Sequence, residues 1–190
     1  MRHIRTKDRA LKEGRSLLQK HGYNGFSFQD IADKLDIKKP SLYDHFSSKE
    51  DLIVAIIQDY GVMFDTWTHT TSNLSPIARV RKVFDIFYAF ISDKQKICPI
   101  LALSTDIQAL SKDIQNEMSV FVGKWLAWLE RQIKEGQDSG EIRRDMDAKI
   151  LSTFIYSQAM GSQVQARIKK EPEIASNSGD MIVALIRKTV

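Results

Sequence analysis

Phe26-Ser27-Phe28-Gln29-Asp30-Ile31-Ala32-Asp33-Lys34-Leu35-Asp36-Ile37-Lys38-Lys39-Pro40-Ser41-Leu42-Tyr43-Asp44-His45-Phe46 reads as two short helices joined by a tight turn. Ser27 is placed to cap the first helix, with Asp30 three residues on as a reduced form of the capping box. Ile31, Ala32 and Leu35 then fall at helical spacing. Asp36 closes that helix, because aspartate tolerates the left-handed backbone better than most residues. Ile37 plugs the turn. Pro40 sits in the first turn of the next helix, where its missing N–H is not needed. Leu42 and Phe46, four apart, give that helix a buried side and leave Lys39, Ser41, Tyr43 and His45 facing outward.

A short helix that presents basic, hydroxyl, phenol and imidazole groups has what reading a DNA major groove requires. A surface helix of an ordinary helical bundle would have the same composition. The run from Phe26 to Leu35, with Lys39-Pro40-Ser41-Leu42-Tyr43-Asp44-His45-Phe46-Ser47-Ser48-Lys49-Glu50-Asp51-Leu52 after it, closely resembles the DNA-binding domain of the tetracycline-repressor (TetR) family of bacterial transcriptional regulators. The resemblance covers roughly residues 6–55. It implies that Lys39, Ser41 and Tyr43 face base edges and phosphates, that Gln29 and Asp44 are base readers, and that Ser27, His45 and Lys49 mainly hold the DNA backbone. Two positions depart from the family pattern: Asp36 stands where glycine is usual, and Lys38 where a capping Ser or Thr is usual. The lost cap costs about 1 kcal/mol, which burial of Leu42 and Phe46 offsets, and Lys38 at the helix start is placed to reach a phosphate.

Charge supports this reading. Residues 1–50 hold 11 Lys and Arg against 7 Asp and Glu, whereas residues 51–190 hold 17 of each, so the whole net charge of +4 lies with the two-helix stretch. A basic head on a neutral body is the electrostatic footprint of a DNA-binding protein, although a chance basic patch would look the same. A chain of 190 residues, 43% hydrophobic and 27% charged, has room for one sizeable core or two small ones. No stretch approaches the ~18 apolar residues of a membrane span. The charged N-terminus lacks the apolar core of a signal peptide, so the expected location is cytoplasmic. The single cysteine, Cys98, excludes an internal disulfide and a cysteine-based zinc site.

The rest reads as helices throughout, so the fold class is all-α. An amphipathic helix runs from Thr6 to His21, capped by Gly22. After the two-helix stretch a long helix runs from Lys49 to Trp67, followed by a polar loop and a helix from Pro76 through Ile91. Further helices are expected from Pro99 through Leu110, from Asp113 to about Gln137 with Gly136 and Gly140 ending it, from about Asp145 to Lys170, and from about Ser178 to Lys188. This divides the chain into a three-helix helix-turn-helix DNA-binding domain, residues 1–47, and a larger helical ligand-binding and dimerisation domain, residues 48–190.

Catalytic signals are absent: there is no glycine-rich phosphate loop, no His-x-x-x-His or Cys-x-x-Cys pair and no Gly-x-Ser-x-Gly. The four histidines, His3, His21, His45 and His69, are too scattered for shared metal ligation. No enzyme, metal or cofactor is therefore expected. The body is rich in aromatics at helical spacing. Packing is the ordinary use of such residues, but the family resemblance implies a small-molecule pocket, for which Phe64, Trp67, Phe84, Phe87, Tyr88, Phe121 and Trp125 are the candidates. The last two helices carry apolar residues on more than one face, and the resemblance implies that they pair with a second copy. These readings combine into a ligand-responsive repressor that binds a palindromic operator as a homodimer and is released by a small apolar or aromatic effector. Two alternatives stand beside it: a redox- or electrophile-sensing repressor acting through Cys98, at the mouth of a helix where a thiol's pKa falls, and a small-molecule binding module without DNA binding.

Overall fold

The computed structural model describes residues 2–188, with side chains from residue 6 onward, so His3 lies outside the described side chains. The regular structure among the described residues is helical: α1 (Arg2–His21), α2 (Phe28–Leu35), α3 (Pro40–Tyr43), α4 (Lys49–Thr70), α5 (Pro76–Ser92), α6 (Pro99–Ser104), a 3-10 turn (Ile107–Ala109), α7 (Lys112–Ser139), α8 (Ala148–Lys169) and α9 (Glu173–Ile186). An isolated antiparallel bridge joins Ile142 to Arg187.

Three expectations need correction. The helix opened by Pro99 does not run to Leu110 but stops at Ser104. The Ser104 and Thr105 hydroxyls turn back to donate to the carbonyls of Leu101 and Ala102, a local bond that competes with helix continuation. Gly136 does not end α7. It is buried inside the helix, where a β-carbon would lie 2.5 Å from Ile142 Cδ1, and the helix ends instead at Gly140, whose φ is +78°. The last helix starts at Glu173, not Ser178, directly after Pro172. Proline needs no N–H partner at a helix start, and a carboxylate in the first turn suits the helix dipole.

The chain falls into two compact units. The first comprises the chain up to Phe64 together with Pro99–Val120; the second comprises Asp65–Cys98 and the chain from Phe121 onward. The unit boundaries therefore fall inside α4 and α7. The first unit buries Leu18, Ile31, Leu42, Leu52, Ile53, Ile56, Leu103 and Ile114. Gly14 lets α1 rest closely on α4, since a β-carbon there would sit 3.2 Å from Ile56 Cδ1 and 3.3 Å from Leu52 Cδ2.

The second unit is organised by α5, which buries Val80, Val83, Phe84, Phe87 and Ile91 and packs extensively against α9. The closest approach is at Gly179, where a β-carbon would fall 2.7 Å from Phe84 Cβ. Arg81 fastens the crossing from α5, donating to Asp180 at 2.6 Å and to the Ser176 hydroxyl at 2.9 Å.

Because Gly179 has no room for a methyl group and Gly123 on α7 has nothing within 4 Å, the two glycines respond oppositely to alanine. Gly179→Ala is expected to destabilise the protein by about 1–3 kcal/mol through overpacking, and Gly123→Ala to stabilise it by about 0.5–1 kcal/mol through helix propensity. Urea unfolding of the two variants checks both signs.

Candidate nucleic-acid interface

The reading pair is built from its caps. The Ser27 hydroxyl and backbone N–H both donate to the Asp30 carboxylate at 2.7 Å, and the Asp30 N–H returns to Ser27 Oγ at 3.5 Å. The capping box is thus complete with aspartate in the role usually taken by Glu or Gln. At the other end Asp36 takes the left-handed conformation, φ 52° and ψ 51°. The Ile37 N–H then donates to the Ala32 carbonyl at 3.1 Å, and Arg9 from α1 donates to the Leu35 carbonyl at 3.2 Å.

Only four residues, Pro40 to Tyr43, form the α-helical part of the second helix. Helix-like turns extend it on both sides, with Ser41 N–H bonded to Lys38 O and Phe46 N–H to Leu42 O, each at 2.9 Å. Pro40 occupies its first turn and no side chain caps it, as the lysines at 38 and 39 imply. Leu42 and Phe46 are buried. Tyr43 is 52% exposed, yet its ring leans on Phe28 of α2 with 5.1 Å between centroids.

The other candidate contacts separate. Gln29, Lys38 and Asp44 are exposed, and Lys39, Ser41 and His45 are half-buried. Gln29 donates to Asp33 at 2.7 Å along α2, and the His45 ring meets Phe46 edge-on. Ser27 is exposed, and in the absence of DNA its hydroxyl takes part in the cap. Lys49, expected on the DNA backbone, makes its contacts within the protein. Its ammonium points inward, donating to the carbonyls of Tyr23 and Phe26 and lying 4.7 and 4.3 Å from their ring centroids. Carbonyl oxygens and ring faces together outcompete an open-solvent orientation for a cation on a flexible stem. The sequence does not single out Tyr23, Phe26 and Phe28: the spacing of the aromatics is visible there, but not the partners their rings take.

The pocket candidates separate in the same way. In the second unit Trp67 lies 5.7 Å from Trp125, and Phe87 lies 6.4 Å from Trp125. Trp128, Phe90 and Tyr156 extend the cluster: Trp128 is 5.1 Å from Trp67, Phe90 is 6.3 Å from Phe87, and Tyr156 is 6.3 Å from Trp125. Burial, and secondarily the neighbouring Cys98, push the Tyr156 phenol above the ordinary tyrosine value. Phe121 is buried, and Phe64 is a buried residue of the first unit. Two candidates lie outside this ring cluster as described. Tyr88 is 39% exposed, turned away from the side of α5 that carries Phe84, Phe87 and Ile91, and Phe84 packs at the crossing with α9.

Cys98 is 2% exposed, and its backbone N–H donates to Gln163 Oε1 at 2.7 Å. A sensor thiol must be reachable by its oxidant, and Cys98 is buried in this structure.

The family model described as bacterial regulatory proteins of the tetR family matches residues 10–56, and that of the tetracyclin repressor-like C-terminal domain matches residues 76–178. The chain belongs to the TetR family. It is a helix-turn-helix transcriptional regulator, and responsiveness to a ligand is typical of the family. Among curated relatives, the HTH-type transcriptional repressor DhaR of Mycobacterium sp. (strain GP1) is 27% identical over 165 residues, 86% of this chain and 83% of that protein. Among solved structures, a TetR transcriptional regulator from Legionella pneumophila is 30% identical, with a TM-score of 0.87 over 95% of this chain and 97% of that one. A TetR-family regulator from Agrobacterium tumefaciens shares the fold at a TM-score of 0.92 and 21% identity, over 97% of this chain and 99% of that one.

The cap of this TetR regulator carries a pH signature. The Ser27 hydroxyl, and then the Ser27 N–H, hold the Asp30 carboxyl below the ordinary aspartate value. A depressed carboxylate favours the folded state above its unfolded pKa, and that contribution disappears as pH falls through the folded value. In an NMR titration Asp30 is expected to titrate below a model aspartate, and Ser27→Ala to move it back up.

Proposed function

We propose that this TetR regulator is a cytoplasmic repressor that binds a palindromic operator as a homodimer through its last two helices and is released by a small apolar or aromatic effector. The observation that carries the DNA-binding half is the division of labour in α3 and the turn after it: Leu42 and Phe46 are buried while Tyr43 is 52% exposed. In this reading Lys39, Ser41 and Tyr43 meet base edges and phosphates, Gln29 and Asp44 read bases, and Lys38, Ser27 and His45 hold the backbone. Residues 1–47 form the reading domain, and residues 48–190 serve effector binding and pairing.

Pairing is supported by an apolar face that α8 and α9 do not bury within the chain. Ile150, Phe154, Val164, Ile168, Met181 and Leu185 are all more than 40% exposed, while Leu151, Ile155 and Ala159 of α8 and Ile182 and Ile186 of α9 fill the opposite side. A helix with two apolar sides needs two partners, and a two-fold pairing here would set two reading heads about one DNA turn, ~34 Å, apart. The effector half is supported by the aromatic cluster around Trp125. A ligand there releases DNA only by preferring the non-binding state, with a coupling of about 1–3 kcal/mol.

The test begins with an operator selected in vitro from a pool of random duplexes. The protein is expected to retain a two-fold symmetric sequence and to sediment as a dimer. Tyr43→Phe keeps the ring on Phe28 and removes only the hydroxyl, so it is expected to weaken the selected operator by about 1 kcal/mol per subunit with helix content and dimer unchanged. Retention of no duplex, or sedimentation as a monomer at micromolar concentration, would end the reading.

A further inference from the structure

The connection between α1 and α2, residues 22–27, has little of its own to fix it. Gly22 is left-handed at φ +76°, and Gly25 passes so near the end of α1 that a β-carbon would lie 2.2 Å from the His21 carbonyl oxygen. This connection nevertheless delivers Ser27 to the cap of α2. Two side chains from distant parts of the sequence fasten it. Lys49, the first residue of α4, donates to the carbonyls of Tyr23 and Phe26 between their rings. Asp106, between α6 and the 3-10 turn, accepts from Asn24 Nδ2 at 3.1 Å. Burial draws the Lys49 ammonium below the ordinary lysine value, opposed by the charges of Asp30 and Asp106.

We propose that Lys49 is a positioning residue for DNA reading and not a phosphate ligand: it pins the α1–α2 connection to the start of α4 and so fixes the angle at which α2 and α3 are presented. The inference rests on the DNA-binding reading above. Phe26 lies directly before the cap residue, and α2 is eight residues long, so its direction is set at its ends. α2 in turn carries α3 through the Asp36 turn and the Phe28–Tyr43 ring contact. To reach a phosphate, the Lys49 ammonium would have to surrender two carbonyl acceptors and two ring faces. The tie from Asp106 braces the same connection from α6, whose segment belongs to the same compact unit.

The unmodified protein supplies the first measurement: reductive methylation read residue by residue by mass spectrometry, with and without a random 30-bp duplex. Lys49 is expected to react several-fold more slowly than exposed Lys38 in the free protein, with DNA adding no protection. Reaction at the Lys38 rate, followed by protection on adding DNA, would overturn the proposal. Lys49→Met and Tyr23→Leu then separate positioning from simple packing. Each is expected to weaken the selected operator by about tenfold, with an unchanged salt slope and with the double variant no worse than the weaker-binding single. A phosphate ligand would instead lose about 0.9 from the log–log salt slope per contact, and losses that multiply, or Lys49→Met binding as tightly as the parent, would equally refute positioning. A parent protein that retains no duplex ends the underlying reading, and is recognised before any substitution is made.

Discussion

The interface depends on burying Leu42 and Phe46. A helix of four residues cannot sustain itself in water, because nucleation costs more than its few hydrogen bonds return. What keeps Pro40 to Tyr43 helical is the pair of apolar side chains that anchor it in the core of the first unit. Three nearby devices serve that anchorage. Asp36 accepts a left-handed backbone so that the chain turns sharply enough; Pro40 fixes one dihedral of the first turn; Phe28 props Tyr43 from below. Because stability is supplied from the buried side, the outward residues carry little structural duty, which is what a sequence-reading surface needs.

The second unit follows the same logic with a different outcome. On α5, burial of one face is complete, and the crossing with α9 is so close that glycine is required at position 179. On α8 and α9 one face is satisfied inside the chain and the other is left apolar and exposed. Exposed Phe154, Met181 and Leu185, lining one groove with Ile174 and Gln158, are unfavourable in isolation. They fit a protein whose working form is a pair.

Much of this was legible in the sequence because it is local. The Ser27–Asp30 box, the left-handed Asp36, Pro40 in a first turn and the buried Leu42–Phe46 pair all follow from spacings of four residues or fewer. What the sequence left unread is where long side chains find partners. Lys49 has the spacing of a DNA contact, yet it bonds to carbonyls 23 and 26 residues earlier in the chain. Asp106 gave no signal at all, since its partner Asn24 is 82 residues away. Cys98 stands before a helix as read, but it is buried, and its backbone N–H finds a partner 65 residues away in Gln163 of α8. The break after Ser104 and the early start of α9 turned on hydroxyl back-bonds and on Pro172, where helix period alone is ambiguous.

The central claim is that the reading helix is pre-formed by core burial and not by DNA. Native-state hydrogen exchange in the DNA-free protein tests it at the amides of Leu42 and Phe46, bonded to Lys39 O at 3.0 Å and Leu42 O at 2.9 Å. If the account is right, both exchange only with the cooperative opening of the first unit, at the same free energy as the core amide of Ile31. Exchange of these amides near the unstructured rate while Ile31 stays protected would show that the helix forms only on DNA, and would contradict it.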